Sequence, residues 1–234
     1  MTEAEWLACG DPQAMLRLPR AGSNERQLRL FACACCRRVG GLLADFTVRA
    51  ALIVAERFAD GLATDAERSS ARKAAQQAAQ GRGVTTRPTA PKWARRAASA
   101  VYYAAARSAA EAACNAPQLA VEALVWEAGG YGASEAPDIQ IAENAAQADL
   151  LRDIVGNPFR PRPALARLAP RGGEATIRAL AAAIYEERSF DQAPILADAL
   201  EDAGCPDEDV LSHLRSPGPH VRGCRVIDLI RARP

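Results

Sequence analysis

The sequence predicts an all-α protein: an irregular alanine-rich helical bundle followed by a small C-terminal helical subdomain. Three observations carry that expectation. Alanine dominates the apolar residues, and it has the best intrinsic helix propensity because ordering it loses no side-chain entropy. Caps, glycines and prolines punctuate the chain at helix-length intervals, and nothing resembles a strand ladder. With 49% hydrophobic and 24% charged residues, wholesale disorder is excluded. Aromatics are only 5%, so the core is expected to be shallow and anchored by the scattered Leu, Ile, Val, Phe and Trp residues.

The elements follow in order. Thr2 and Glu5 form a capping-box pattern, in which hydroxyl and carboxylate satisfy orphan backbone donors. Asp11-Pro12 offers a second start, with Pro where a missing N–H is harmless. Asn24 to Val39 reads as a helix with Leu28, Phe31, Cys35 and Val39 on one stripe, stopped by Gly40-Gly41. The next helix runs from about Asp45 to Asp60 and ends at Gly61. A second capping box, Thr64 with Glu67, opens a helix ending at Gly81. Gly81 to Pro91 reads as a loop. Thr89 caps one long helix from about Ala90 to Cys114, and Pro117 begins another that reaches Ala128 before the Gly129-Gly130-Tyr131-Gly132 break. Ser134 or Asp138 starts a helix through Val155, stopped by Gly156-Asn157-Pro158.

From Asn157 to Gly173 the prolines favour extended chain. The domain boundary is placed there, giving a bundle over 1–156 and a connector with a small helical subdomain over 157–234. Further helices are expected at about Glu174–Glu187, Pro194–Ala203, Pro206–Leu214 and Pro219–Arg231.

The net charge of +1 gives no global pull toward nucleic acid or anionic lipid. Between Arg68 and Ala110 every charged side chain is basic; between Glu111 and Asp153 every one except Arg152 is acidic. Such blocks on successive helices read most simply as antiparallel neighbours. The N-terminus lacks the basic-then-apolar order of a secretory signal, and the apolar run Ala97 to Ala106 is far below the roughly 20 residues that span a bilayer. The expectation is a cytoplasmic protein with no membrane partner, its cysteines kept as thiols or metal ligands.

Chemistry concentrates near the C-terminus. Cys205, His213, His220 and Cys224 bring together both histidines of the chain and two of its seven cysteines. Thiolate and neutral imidazole are ligands that zinc favours, and two of each complete a tetrahedron. Pro217-Gly218-Pro219 can turn the chain back on itself, and His220 and Cys224 fall one helical turn apart. The plain alternative is that both cysteines are core residues and the histidines cap helix ends. Cys33, Cys35 and Cys36 form a second group. Cys33 and Cys36 share a helix face, which suits a metal or redox pair, or simply core packing. Lys92, Arg95, Arg96 and Arg107, with Trp93, Tyr102 and Tyr103, pair basic charge with stacking aromatics, as in nucleic-acid binding. Yet Trp93, Ala97, Val101 and Ala104 also have the spacing of a core stripe. No Gly-x-Ser-x-Gly elbow, Gly-x-x-x-x-Gly-Lys loop or Glu-x-x-His pair is present.

Four segments carry a resemblance: the opening MTEAEWLAC, Leu28 to Arg38 (LRLFACACCRR), Ile195 to Cys205 (ILADALEDAGC) and Gly218 to Cys224 (GPHVRGC). Together they resemble a family of uncharacterised bacterial proteins with shared ends around a variable alanine-rich middle. The chain departs from that pattern in having Arg225 where a tryptophan follows the last Cys, and in lacking a Trp-rich middle. The resemblance brings no activity and implies no catalytic residue.

The functional expectation is therefore a non-enzymatic helical interaction or scaffold protein with a protein partner. The alternative is a metal-binding protein, with structural zinc or a redox metal, using Cys205, His213, His220 and Cys224. A second alternative is nucleic-acid binding through the Arg68–Arg107 helices.

Overall fold

In the computed structural model the chain is described over residues 1–18, 23–83, 90–160 and 173–231. Those residues are helical and contain no strand. They divide into two compact units, Met1–Ala148 and Asp149–Pro234. The proline-rich run after Arg160 and the Thr89 cap lie outside the described residues.

The first unit contains α1 (Glu3–Ala8), α2 (Pro12–Leu16), α3 (Glu25–Arg38), α4 (Phe46–Ala59), α5 (Asp65–Ala79), α6 (Lys92–Ala104) and α7 (Ala109–Glu127). It also holds the start of α8 (Ala136–Val155), which crosses the division between the units. The two capping boxes read from the sequence are formed. Thr2, Asn24 and Thr64 each close a capping box, and Asp11 and Asp45 accept from the first backbone N–H groups of α2 and α4. Successive helices pack on one another from α3 to α7, and α7 packs back on α3. Helix α3 is central, and buried residues surround it on more than one stripe: Leu30 through Cys36 are all buried.

The core of this unit is built largely from alanine, including Ala51, Ala55, Ala75, Ala97, Ala104 and Ala112, with Leu52, Val48 and Val101 as larger anchors. Small faces let helices approach closely, but each buries little area. Polar groups compensate inside this core. The bidentate Arg37–Glu56 and Arg38–Glu143 forks each hold a buried carboxylate. The opposite-charge blocks meet as ion pairs, Arg72 with Glu111 and Arg96 with Glu122, each at 3.1 Å.

Two sequence expectations fail here for the same reason. The single helix expected over 90–114 is broken at 105–108, and Pro117 lies inside α7 instead of starting a helix. The break is held from outside. The buried Arg29 guanidinium donates to the carbonyls of Ala104, Ala106 and Arg107, Arg68 donates to that of Ala105, and Ser108 caps α7. Inside α7, Pro117 has no N–H for the carbonyl of Ala113. Gln13 reaches that carbonyl at 3.4 Å and the next one, Cys114, at 3.2 Å.

The second unit contains the end of α8, then α9 (Glu174–Glu187), α10 (Ala193–Asp202), α11 (Glu208–Arg215) and α12 (Arg225–Ile230). Its core has a different chemistry: Ile184, Tyr185, Leu196, Leu200, Leu214, Val226, Ile227 and Ile230 are all fully buried. The last helix docks through Val226, Ile227 and Ile230 without the tryptophan of the resembled family. It is shorter than the expected Pro219–Arg231, because residues 216–224 form a loop anchored by side chains instead of a helical ladder.

Candidate metal centre

Asp153 lies in the last turn of α8, among the buried Leu150, Leu151, Ile154 and Val155. Gly156 follows with φ +82°, a left-handed turn that glycine adopts without penalty and that ends the helix. A Cβ there would sit 2.5 Å from Cδ of Arg225, so a side chain at this position would displace the arginine. His213 lies in the last turn of α11, whose first turn is capped by Asp207 and whose Val210, Leu211 and Leu214 are buried. His220 and Cys224 come from the loop between α11 and α12, which turns at Gly218 with φ +114°.

These four residues bring one ligand atom each to within 4.8 Å of all the others. His213 Nε2 is 3.2 Å from Asp153 Oδ1 and 3.3 Å from Cys224 Sγ. His220 Nδ1 is 3.4 Å from Asp153 Oδ1 and 4.0 Å from Cys224 Sγ. The imidazole rings meet edge to face at 4.9 Å. Asp153 and Cys224 are buried, and the His220 side chain is 5% and the His213 side chain 16% exposed. A tetrahedral zinc, with N or O ligands at about 2.0–2.2 Å and thiolate at about 2.3 Å, sets neighbouring ligand atoms roughly 3.3–3.6 Å apart. The histidine contacts with Asp153 and Cys224 run from 3.2 to 4.0 Å, and all four ligand atoms lie within 4.8 Å of one another.

Outer contacts orient the ligands. The Val221 N–H donates to Asp153 Oδ2 at 3.1 Å, which leaves Oδ1 turned to the histidines. His220 Nε2 is 3.3 Å from the Ser216 carbonyl. A carbonyl only accepts, so Nε2 carries a proton, and Nδ1 is the nitrogen left to face Asp153 and Cys224. Nδ1 faces a carboxylate oxygen and a sulfur, an arrangement that a shared proton or a cation satisfies. A ring N–H given to a backbone carbonyl, with the other nitrogen facing inward, is the usual outer contact of a metal-bound histidine. The Ser216 hydroxyl donates to the His213 carbonyl at 2.7 Å and so ties the loop to α11.

The electrostatics follow from burial and from this convergence. Burial opposes the charged form of Asp153, but hydrogen bonds from His213 and His220 outweigh it and hold its pKa below the ordinary carboxylate value. Burial depresses His213, with Asp153 pulling the other way and Arg225 and His220 adding to the depression. Burial, then the Asp153 charge, pushes the Cys224 thiol well above its usual value. In the metal-free protein the thiol is protonated, and a cation is needed to hold it as thiolate.

The arrangement does not match a nucleophilic triad. There a histidine uses opposite ring nitrogens, one toward the nucleophile and one toward the acid. Here each histidine directs the same nitrogen at both Cys224 and Asp153. The geometry converges on a point instead of relaying a proton.

Of the residues singled out by sequence, the structure brings together His213, His220 and Cys224. Cys205 lies outside the group, buried in the core of the second unit, with its pKa raised chiefly by burial. Asp153 stands in the fourth position. A signal for it exists in the sequence: a lone acid in the last turn of a helix, at the negative end of the dipole and among apolar residues, is out of place unless something pairs it. Cys33, Cys35 and Cys36 are buried in the first unit, and burial pushes all three thiols well up. Among the described residues they belong to no converging ligand group. The basic aromatic stretch is engaged within its own unit. Arg96 pairs with Glu122, Lys92 Nζ sits 3.5 Å over the Trp126 ring, and Ala97, Val101 and Ala104 face the core.

Among the described residues no helix is long and apolar enough to cross a membrane. No known protein family, curated protein or solved structure matches the chain.

Proposed function

We propose that the protein binds a transition metal ion, zinc by ligand chemistry, through Asp153, His213, His220 and Cys224, and that the ion has a structural role. The observation that carries this reading is the convergence of four buried or half-buried ligand atoms within 4.8 Å of one another, with His220 Nε2 held on the Ser216 carbonyl and Nδ1 turned to Asp153 and Cys224. A thiolate with two imidazoles favours zinc over hard cations. Four protein ligands close a tetrahedral shell and leave no position for substrate, which is the pattern of structural sites. Binding releases the Cys224 proton to solvent as the thiolate forms. A structural ion fits the non-enzymatic reading, in which the helices themselves present the working surface to a protein partner.

Metal analysis of protein purified without chelators tests this. The expected content is about one equivalent of zinc per chain, with loss in both His213→Ala and Cys224→Ser and retention in Cys205→Ser. Zinc below roughly a tenth of an equivalent in the unsubstituted protein, even after zinc is added back, contradicts the proposal.

A further inference from the structure

The loop that supplies two of the four ligands also carries a contact that no ligand makes. Between His220 and Cys224, Arg222 extends to α9, where its guanidinium lies 4.5 Å from the Tyr185 ring centroid and 3.5 Å from Glu186. Arg231, just past α12, lies 3.4 Å from the same ring and 3.1 Å from the same carboxylate. The buried Tyr185 ring is thus held by two guanidiniums. One belongs to the ligand loop, and the other belongs to the short helix that Cys224 begins.

The mechanical consequence follows from how the loop is tied. Its anchors are largely the site itself: Val221 N–H on Asp153, His220 on the Ser216 carbonyl, and the ligand atoms of His220 and Cys224. Helix α12 has six residues, too few to persist by its own hydrogen bonds, so its position depends on the buried packing of Val226, Ile227 and Ile230 and on what holds its ends. With a cation absent, the two imidazoles, the carboxylate and the thiol no longer share a common partner.

Resting on the metal-binding reading above, we propose that metal occupancy governs the docking of Arg222 and α12 onto Tyr185 and Glu186 of α9. The centre then acts as a metal-operated clamp. Filled, it holds both guanidiniums on the Tyr185 ring. Emptied, it frees the loop and the ring loses its cationic cover, while the first unit keeps its fold.

The residue inventory supplies a selective probe. The chain has four tyrosines, and Tyr185 alone lies in the second unit. Full-length protein labelled with 3-fluorotyrosine gives one fluorine resonance per tyrosine, and Tyr185→Phe assigns the relevant one. On removal of zinc by a chelator, the Tyr185 resonance is expected to move toward its position in urea-unfolded protein, with Tyr102, Tyr103 and Tyr131 unmoved. Restoring zinc reverses the shift. Arg222→Gln, which leaves every ligand in place, is expected to keep its zinc but to start displaced and move less on chelation. If zinc leaves and Tyr185 stays still, the clamp is wrong and the metal centre stands. If all four resonances move together, the coupling is not confined to the clamp and the proposal also fails. If the protein takes up no zinc, the underlying metal reading fails instead.

Discussion

At Asp153 a single carboxylate divides its two oxygens between jobs: Oδ2 accepts from the Val221 backbone and Oδ1 faces both imidazoles. Asp153→Asn keeps an acceptor for Val221 but removes the anionic ligand. Competition with a chromophoric chelator should show zinc affinity falling by at least about 10–100-fold, the range seen when even outer contacts of a metal site are lost. Unchanged affinity would remove Asp153 from the centre. This residue escaped the sequence reading because its partners are remote. His220 lies 67 positions away, and local spacing, which drew attention to His213, His220 and Cys224, carries no information at that range. Spacing also promoted Cys205, whose place in the core only packing decides. Arg29 illustrates the same blindness in the first unit. Its buried guanidinium satisfies three carbonyls at the α6–α7 corner, against the desolvation that lowers its own pKa. Arg29→Met leaves those carbonyls unpaired and should cost about 1–3 kcal/mol in urea unfolding, a loss that Arg29→Lys does not fully restore.

Elements whose ends are written locally were legible. The capping boxes at Thr2 and Thr64 form as the sequence predicts, and Asp11, Asn24 and Asp45 cap helices at the starts expected there, all through residues within three positions. Elements whose ends are set at a distance were not. The break between α6 and α7 depends on Arg29 and Arg68, and residues 219–224 give up their helix because Val221 and His220 bond to Asp153 and Ser216. The α5 cap yields a prediction with a defined pH sign. Thr64→Ala should lower stability at neutral pH by about 0.5–2 kcal/mol. The backbone hydrogen bond at Thr64, followed by its hydroxyl, holds the Glu67 pKa below its ordinary value in the folded protein. A depressed folded pKa means a contribution present above the unfolded pKa and lost as pH falls through the folded one. The stability gap between the native protein and Thr64→Ala should therefore narrow in acid. A gap that widens there would refute the role of Glu67.

Across the whole molecule, composition dictated class but not chemistry. Alanine abundance with dense caps specified an all-helical chain, and the described residues are helical without strands. Composition could not foresee that the two units would differ in core. One packs alanine beside carboxylates buried under Arg–Glu forks, and the other packs Leu, Ile and Tyr beside a converging ligand group. The second unit is the shorter, and a bound ion stabilises such a unit by mass action, by about 2.7 kcal/mol at a free metal concentration 100-fold above Kd. The most direct test of the central claim is a cobalt(II) titration of metal-free protein followed by visible absorption. Asp153, His213, His220 and Cys224 predict intense tetrahedral d–d bands and a thiolate-to-cobalt charge-transfer band, both saturating at about one equivalent and both displaced by zinc. Weak octahedral absorption with no charge-transfer band would mean that these four side chains do not hold a metal together.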